Sequence, residues 1–74
     1  MYRVKVTNEE LRGRMSEEWA NDFATYEEAE AYCLRTIREI GRDVTVHDWD
    51  ETETGYYVEY FPKMRMTFEI SEVI

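Results

Sequence analysis

Apolar and polar residues alternate at the start of the chain. Tyr2, Val4 and Val6 fall on one side of a period-two pattern, and Arg3 and Lys5 fall on the other. Such alternation is typical of a β-strand that packs one face on a core. The sequence therefore predicts a first strand at this end.

Residues 8–21 have two interpretations. Thr7 and Glu10 fit a helix capping box, and apolar residues then recur at every fourth position, at Leu11, Met15 and Trp19. Gly13, however, is unfavourable inside a helix and suits a turn, after which a strand from about Met15 to Phe23 would form a hairpin with the first. We favour the hairpin, because the apolar residues of such a strand lead into the next element in extended phase.

The most regular pattern predicts a helix from Tyr26 to Ile40. Thr25 and Glu28 form a capping box before it, and Gly41 supplies a C-terminal stop. One face is apolar, with Ala29, Cys33, Ile37 and Ile40. The first turns are acidic and the last are basic, which matches the helix macrodipole: Glu27, Glu28 and Glu30, then Arg35, Arg38 and Arg42.

The C-terminal half predicts an antiparallel meander. Alternating segments at 44–49, 56–61 and 64–70 are separated by turn-forming residues at 50–55 and 62–63. We therefore expect a single α+β domain over residues 1–74. Its antiparallel sheet has four or five strands, with one helix packed on one face, in the order β(β)αβββ.

Strand alternation also predicts which side chains share a face of this sheet. Those facing the helix would be Tyr2, Val4, Val6, Val44, Val46, Val58, Met64, Met66, Phe68 and Ile70. The other face would group His47, Trp49, Tyr57 and Phe61 beside Glu59 and Arg65. Such a group of aromatic residues fits a partner interface. It also fits cross-strand stabilisation or a homodimer.

Length and composition narrow the function classes. A chain of 74 residues with 43% hydrophobic residues makes one small core, which leaves no room for a large enzyme pocket. The single cysteine, Cys33, cannot form an internal disulfide, so we expect a reducing, cytoplasmic location. We expect neither a signal peptide nor a transmembrane segment, because no long apolar run occurs.

The charge is strongly negative and unevenly arranged. There are 17 Asp and Glu against 9 Lys and Arg. Two stretches, Ser16 to Leu34 and Asp43 to Pro62, are rich in carboxylates and contain no Lys or Arg. This distribution indicates a partner with a cationic surface and disfavours direct binding to nucleic acid or anionic membranes.

The sequence gives little support for catalysis or for a metal or cofactor site. Cys33 falls on the apolar helix face and His47 on the opposite sheet face, so we expect no thiolate–imidazole pair. Four residues match ligand positions of a calcium-binding loop: Asp48, Asp50, Thr52 and Glu59. Glu53 stands where that loop requires glycine, and strands replace its helices. We therefore expect no metal, no cofactor and no enzyme activity.

Residues 23–32, a strand end that runs into a capped helix of Glu and Ala, carry a resemblance to a known group. The segment resembles that of small acidic phage proteins that inhibit host machinery, of the anti-CRISPR and phage RNA polymerase inhibitor types. The resemblance implies a protein that occupies a Lys- and Arg-lined groove meant for nucleic acid, with carboxylates in place of phosphates.

On this interpretation a host protein with a basic nucleic-acid-binding surface is the partner. The partner-binding residues would be Asp48, Trp49, Asp50, Glu51, Glu53 and Tyr57, together with Glu17, Glu18 and Asp22. Trp49 and Tyr57 would act as aromatic anchors.

Two other classes stay open. One is a structural or homodimeric module whose acidity gives solubility or suits high salt. The other is a small enzyme or metal-dependent regulator that uses residues 48–59.

Overall fold

The chain forms five antiparallel strands and one helix within the part that the computed structural model describes, residues 1–13 and 15–73. The elements are β1 (Tyr2–Glu10), β2 (Ser16–Phe23), α1 (Tyr26–Asp43), β3 (Val46–Glu51), β4 (Gly55–Tyr60) and β5 (Met64–Glu72). The helix packs on one face of the sheet. The predicted α+β fold and its order of elements are confirmed.

The β1–β2 hairpin settles the ambiguity at residues 8–21. Glu10 N–H donates to the Met15 carbonyl at 2.9 Å, which closes the hairpin, and Gly13 adopts a φ of 78° in the turn. Glycine reaches this left-handed region without a Cβ clash. The helical alternative is therefore wrong. Position 14 lies outside the described residues.

Helix α1 begins where the sequence predicts. The Thr25 Oγ1 atom accepts a hydrogen bond from the Glu28 N–H at 3.2 Å, so Thr25 is the N-cap. The Thr25 hydroxyl in turn donates to Glu28 Oε1 at 3.2 Å. These contacts satisfy one of the backbone donors that a helix start otherwise leaves unpaired.

The end of α1 differs from the prediction. The helix continues past Gly41 to Asp43, and Val44 N–H donates to the Ile40 carbonyl at 3.0 Å as the C-cap. Gly41 keeps a negative φ and so does not terminate the helix. Val44 therefore does not belong to a strand, and β3 begins only at Val46.

The strand order is β2-β1-β5-β4-β3. Because β2 and β3 are the two edges, α1 carries the chain from one edge of the sheet to the other. The helix packs mainly on β2, β1, β5 and β4. It leaves β3 less covered.

The core lies between α1 and the sheet. Its buried members are Val4, Val6, Ala29, Cys33, Ile37, Tyr56, Val58, Met66 and Phe68. Tyr56 is an addition to the predicted helix-facing set, and its hydroxyl donates to Glu30 Oε2 on the helix at 3.2 Å. The long β1–β5 pairing sets Val6 opposite Phe68 and so fixes the centre of this core.

A bulge in β3 changes which face its side chains occupy. Val46 pairs with Tyr60 and Asp48 pairs with Glu59, so one extra residue lies between the two pairs. The shift reverses the alternation, because strand side chains change face at every residue. Trp49 pairs with the buried Val58 and lies on the helix side of the sheet. Its predicted place on the opposite face is therefore wrong.

Candidate protein-binding site

The predicted acidic corner lies on the exposed edge strand β3 and the turn after it. Asp48, Asp50 and Glu51 are exposed on β3, and Glu53 is exposed in the turn. The turn is closed by Thr52 N–H, which donates to the Gly55 carbonyl at 2.8 Å. This part of the chain gathers four of the predicted site carboxylates.

Two faces of the hairpin carry different side chains. Asp48 pairs with Glu59 and Asp50 with Tyr57, which places both aspartates on the open face of the sheet, away from α1. Trp49 and Glu51 lie on the helix side. Residues two apart in a strand are about 7 Å apart. Asp48 and Asp50 therefore form a short row of negative charge on the open face.

Tyr57 interacts with the open face and not with Trp49. Its hydroxyl donates to Asp48 Oδ2 at 3.2 Å, and the Arg65 guanidinium lies 5.8 Å from its ring centroid. Partial burial and the bond to Asp48 raise the pKa of Tyr57. Arg65 is also paired with Glu59. The structure thus separates the two aromatic residues that the sequence predicts as joint anchors.

The exposed carboxylates of β3 and of the turn after it have no ion-pair partner within the described residues; they are Asp48, Asp50, Glu51 and Glu53. The ion pairs found there join Arg3 to Asp22, Lys5 to Glu18 and Arg65 to Glu59. Asp50 Oδ1 accepts only a hydrogen bond, from the Glu51 N–H at 2.8 Å. The negative charge of the β3 edge is therefore not neutralised by neighbouring bases of the described chain.

The carboxylates of β2 have different surroundings. Asp22 accepts two hydrogen bonds from Arg3, at 2.8 and 3.2 Å, and this contact lowers the pKa of Asp22. Glu18 lies 3.6 Å from Lys5 Nζ. Glu17 is exposed on the helix side of the sheet, opposite Asn8 in the register of β1 and β2. Two of the three predicted β2 site residues are thus engaged within the chain.

The structure does not bring the two predicted acidic groups together. β2 and β3 are separated by β1, β5 and β4, so their edges are about 19 Å apart at the usual strand spacing. A partner of the β3 edge would need a wide surface to contact β2 as well.

A groove between α1 and β3 was not predicted from the sequence. It has a volume of about 380 Å³ and is lined by Leu34, Ile37, Arg38, Gly41, Val46 and Trp49. Trp49 forms one wall and is 52% exposed. The helical spacing of Leu34, Ile37 and Gly41 is a sequence signal that could have indicated an apolar strip beside β3.

Cys33 and His47, the two residues considered for nucleophilic chemistry, lie in different surroundings. Cys33 is buried, and burial raises the pKa of its thiol to about 11, whereas His47 is exposed on β3. Within residues 1–13 and 15–73 there is no group of three or more His, Cys, Asp or Glu side chains that could hold a metal ion. The aligned calcium-loop positions are spread along two strands of a hairpin.

The described chain also lacks a helix that is long and apolar enough to cross a membrane. No protein-family model matches the sequence, and neither a curated protein nor a solved structure matches it significantly.

Proposed function

We propose that the protein is a small, non-catalytic, acidic binding protein. In this proposal it acts as a phage-type inhibitor, similar to anti-CRISPR proteins, and occludes a basic nucleic-acid-binding surface of a host protein in the cytoplasm. The β3 edge and its turn form the binding surface, and no cofactor takes part.

The observation that carries the proposal is the unneutralised charge of β3 and of the turn after it. Asp48, Asp50, Glu51 and Glu53 are exposed, and none forms an ion pair with a base of the described residues. Lys and Arg that bind phosphates would meet carboxylates here, with complementary charge. A carboxylate without an internal ion-pair partner loses less interaction energy when it binds a base, because no existing ion pair must be broken.

The mechanism needs only occupation of the partner's surface. Asp48 and Asp50 project from one face of an extended strand, and Tyr57 orients Asp48 through its hydroxyl. A rigid strand limits the conformational entropy that binding costs. Charge complementarity also speeds association and makes it sensitive to salt.

A second candidate function has one observation in its favour. Both edge strands of the sheet, β2 and β3, carry several acidic residues. Charged edges prevent strands of separate molecules from pairing. In that case the acidity serves solubility, and the protein is a structural or interaction module. The same charges would repel a second copy at either edge.

Affinity capture with charge-matched variants separates the two functions. One variant carries Asp48→Asn, Asp50→Asn, Glu51→Gln and Glu53→Gln. The control carries Glu27→Gln, Glu39→Gln, Glu69→Gln and Glu72→Gln, all at exposed positions. Both variants lose the same charge, so that only its location differs.

For the proposed inhibitor, the wild type and the control retain a basic nucleic-acid-handling protein from host lysate at low salt. Added nucleic acid or high salt releases it, and the hairpin variant does not retain it. Absence of such a protein at low salt, together with aggregation of the hairpin variant, would instead favour the solubility function.

A further inference from the structure

The groove between α1 and β3 lies directly beside the acidic edge. Its floor and helix wall are formed by Leu34, Ile37 and Gly41, and its other wall by the Trp49 indole. A half-exposed tryptophan beside apolar side chains is the kind of surface that accepts a buried anchor residue. Because Trp49 also belongs to the edge strand, a segment that lies along β3 can place a side chain in the groove.

The backbone of β3 is partly free to pair with another strand. Thr52 N–H points to β4, where it bonds Gly55. The backbone N–H and carbonyl groups of successive residues point to opposite sides of an antiparallel strand. The N–H and carbonyl groups of Asp50 and Asp48 therefore also point to β4. Those of Trp49 and Glu51 point away from β4, towards the free edge. Asp50 already binds the Glu51 N–H. The N–H and carbonyl of Trp49 are therefore the groups best placed to pair with an added strand.

Charge differs between the two sides of this edge. On the open face, Asp48 and Asp50 attract Lys or Arg side chains. On the helix side, which also carries Glu51, the groove itself is lined by Arg38, which repels them there. A strand beside β3 would place alternate side chains on these two faces. Its apolar residue therefore faces the groove and its basic residues face the aspartates.

We propose that an extended segment of the partner protein binds along β3, with one bulky apolar side chain in the α1–β3 groove and flanking Lys or Arg beside Asp48 and Asp50. This inference rests on the proposed function and specifies the chemistry of its partner. The recognised pattern is an apolar residue that alternates with basic residues in a strand.

Two synthetic peptides test the inference. Both alternate lysine with small polar residues, and one has a central leucine where the other has alanine. Gly41→Leu fills the groove, whereas Ala31→Leu, at an exposed position of α1 outside the groove lining, is the matched control. A Cβ at position 41 would make ordinary van der Waals contact with the Val46 Cγ2 atom at 3.7 Å, and melting curves verify that Gly41→Leu folds. Trp49→Ala is a second variant that removes the other wall.

Calorimetry should show the leucine peptide binding the wild type about tenfold more tightly than the alanine peptide, as burial of a few methyl and methylene groups predicts. Ala31→Leu should retain this preference, whereas Gly41→Leu and Trp49→Ala should lose it. In spectra of labelled protein, the leucine peptide should shift the resonances of the Trp49 indole and the Gly41 amide.

Three results would overturn the inference in distinguishable ways. Equal binding of both peptides, without shifts at the groove, would contradict the apolar anchor while leaving the acidic surface as the binding site. If neither peptide binds, the result would count against the proposed function as well. Sedimentation that shows a dimer in wild type but a monomer in Gly41→Leu would make a second copy of this chain the occupant.

Discussion

Trp49 and Tyr57 lie on neighbouring, hydrogen-bonded strands but face opposite sides of the sheet. Trp49 lines the groove beside α1, and Tyr57 donates its hydroxyl hydrogen to Asp48 on the open face. The hairpin therefore separates its apolar contact surface from its row of aspartates. A partner that uses both surfaces must extend along the β3 edge.

Substitution of these two residues should have unequal effects on binding. Trp49→Ala removes a wall of the groove, so we expect the affinity for a leucine-containing basic peptide to fall about tenfold. Tyr57→Phe removes only the hydrogen bond to Asp48 and should change affinity by less than about threefold. Calorimetry measures both, with melting curves to confirm folding. A larger loss for Tyr57→Phe would place the anchor on the open face.

Gly55→Ala should strongly destabilise the fold. A Cβ at this position would overlap the Phe68 carbonyl oxygen and lie 2.9 Å from its carbonyl carbon. Both are backbone atoms of β5, so relief requires a shift of the sheet. We expect the free energy of unfolding to fall by at least about 2 kcal/mol in urea denaturation. An unchanged unfolding midpoint would mean that β4 and β5 are farther apart here.

Gly41→Ala should have the opposite effect. Gly41 lies within α1 with a helical backbone, and its added Cβ would make ordinary van der Waals contact with Val46. Alanine loses less backbone entropy than glycine when a helix forms, so we expect a gain of about 0.7 kcal/mol in unfolding free energy. Destabilisation in the same urea assay would indicate that the helix ends before this residue.

Cys33 should make the fold sensitive to alkaline pH. Burial raises the pKa of its thiol from 9.0 to about 11. The folded state thus favours the neutral thiol. Its stabilising contribution is full below about pH 9 and is lost as the pH rises towards 11. We expect the unfolding free energy to fall by about 2 kcal/mol over this interval.

Cys33→Ala provides the control, because alanine does not titrate. Its unfolding free energy should fall less steeply between pH 9 and 11 than that of the wild type. Burial and the bond to Glu30 also raise the pKa of Tyr56 to about 12, which adds a loss above pH 10 in both proteins. Identical pH profiles would contradict the burial of an un-ionised thiol.

The sequence predicts an element of the fold well where a single pattern, such as a capping box or strict alternation, supports only one structure. The capping box at Thr25 and the apolar stripe place the start and buried face of α1 correctly. Strand alternation likewise predicts β1, β4 and β5. The end of α1 was less predictable, because Gly41 suits both a helix stop and a site of close packing against Val46.

The candidate site was harder to predict. The β3 carboxylates can be identified from the charge distribution alone, but the bulge before Asp48 moves Trp49 to the other face. A bulge depends on how two strands fit together and leaves no strong local signal. The ion pair between Asp22 and Arg3 could not be predicted from the sequence either, because it depends on the register between β1 and β2.

The central claim is that the carboxylates at the β3 edge hold a basic partner. Its most direct test is calorimetric titration of the leucine-containing lysine peptide into wild type, the fourfold hairpin variant and the fourfold control variant, at low and high salt. We predict that the wild type and the control bind at low salt and weaken steeply as salt screens the charges. The hairpin variant should bind weakly at both salt concentrations. Equal low-salt affinity for all three proteins would contradict the claim.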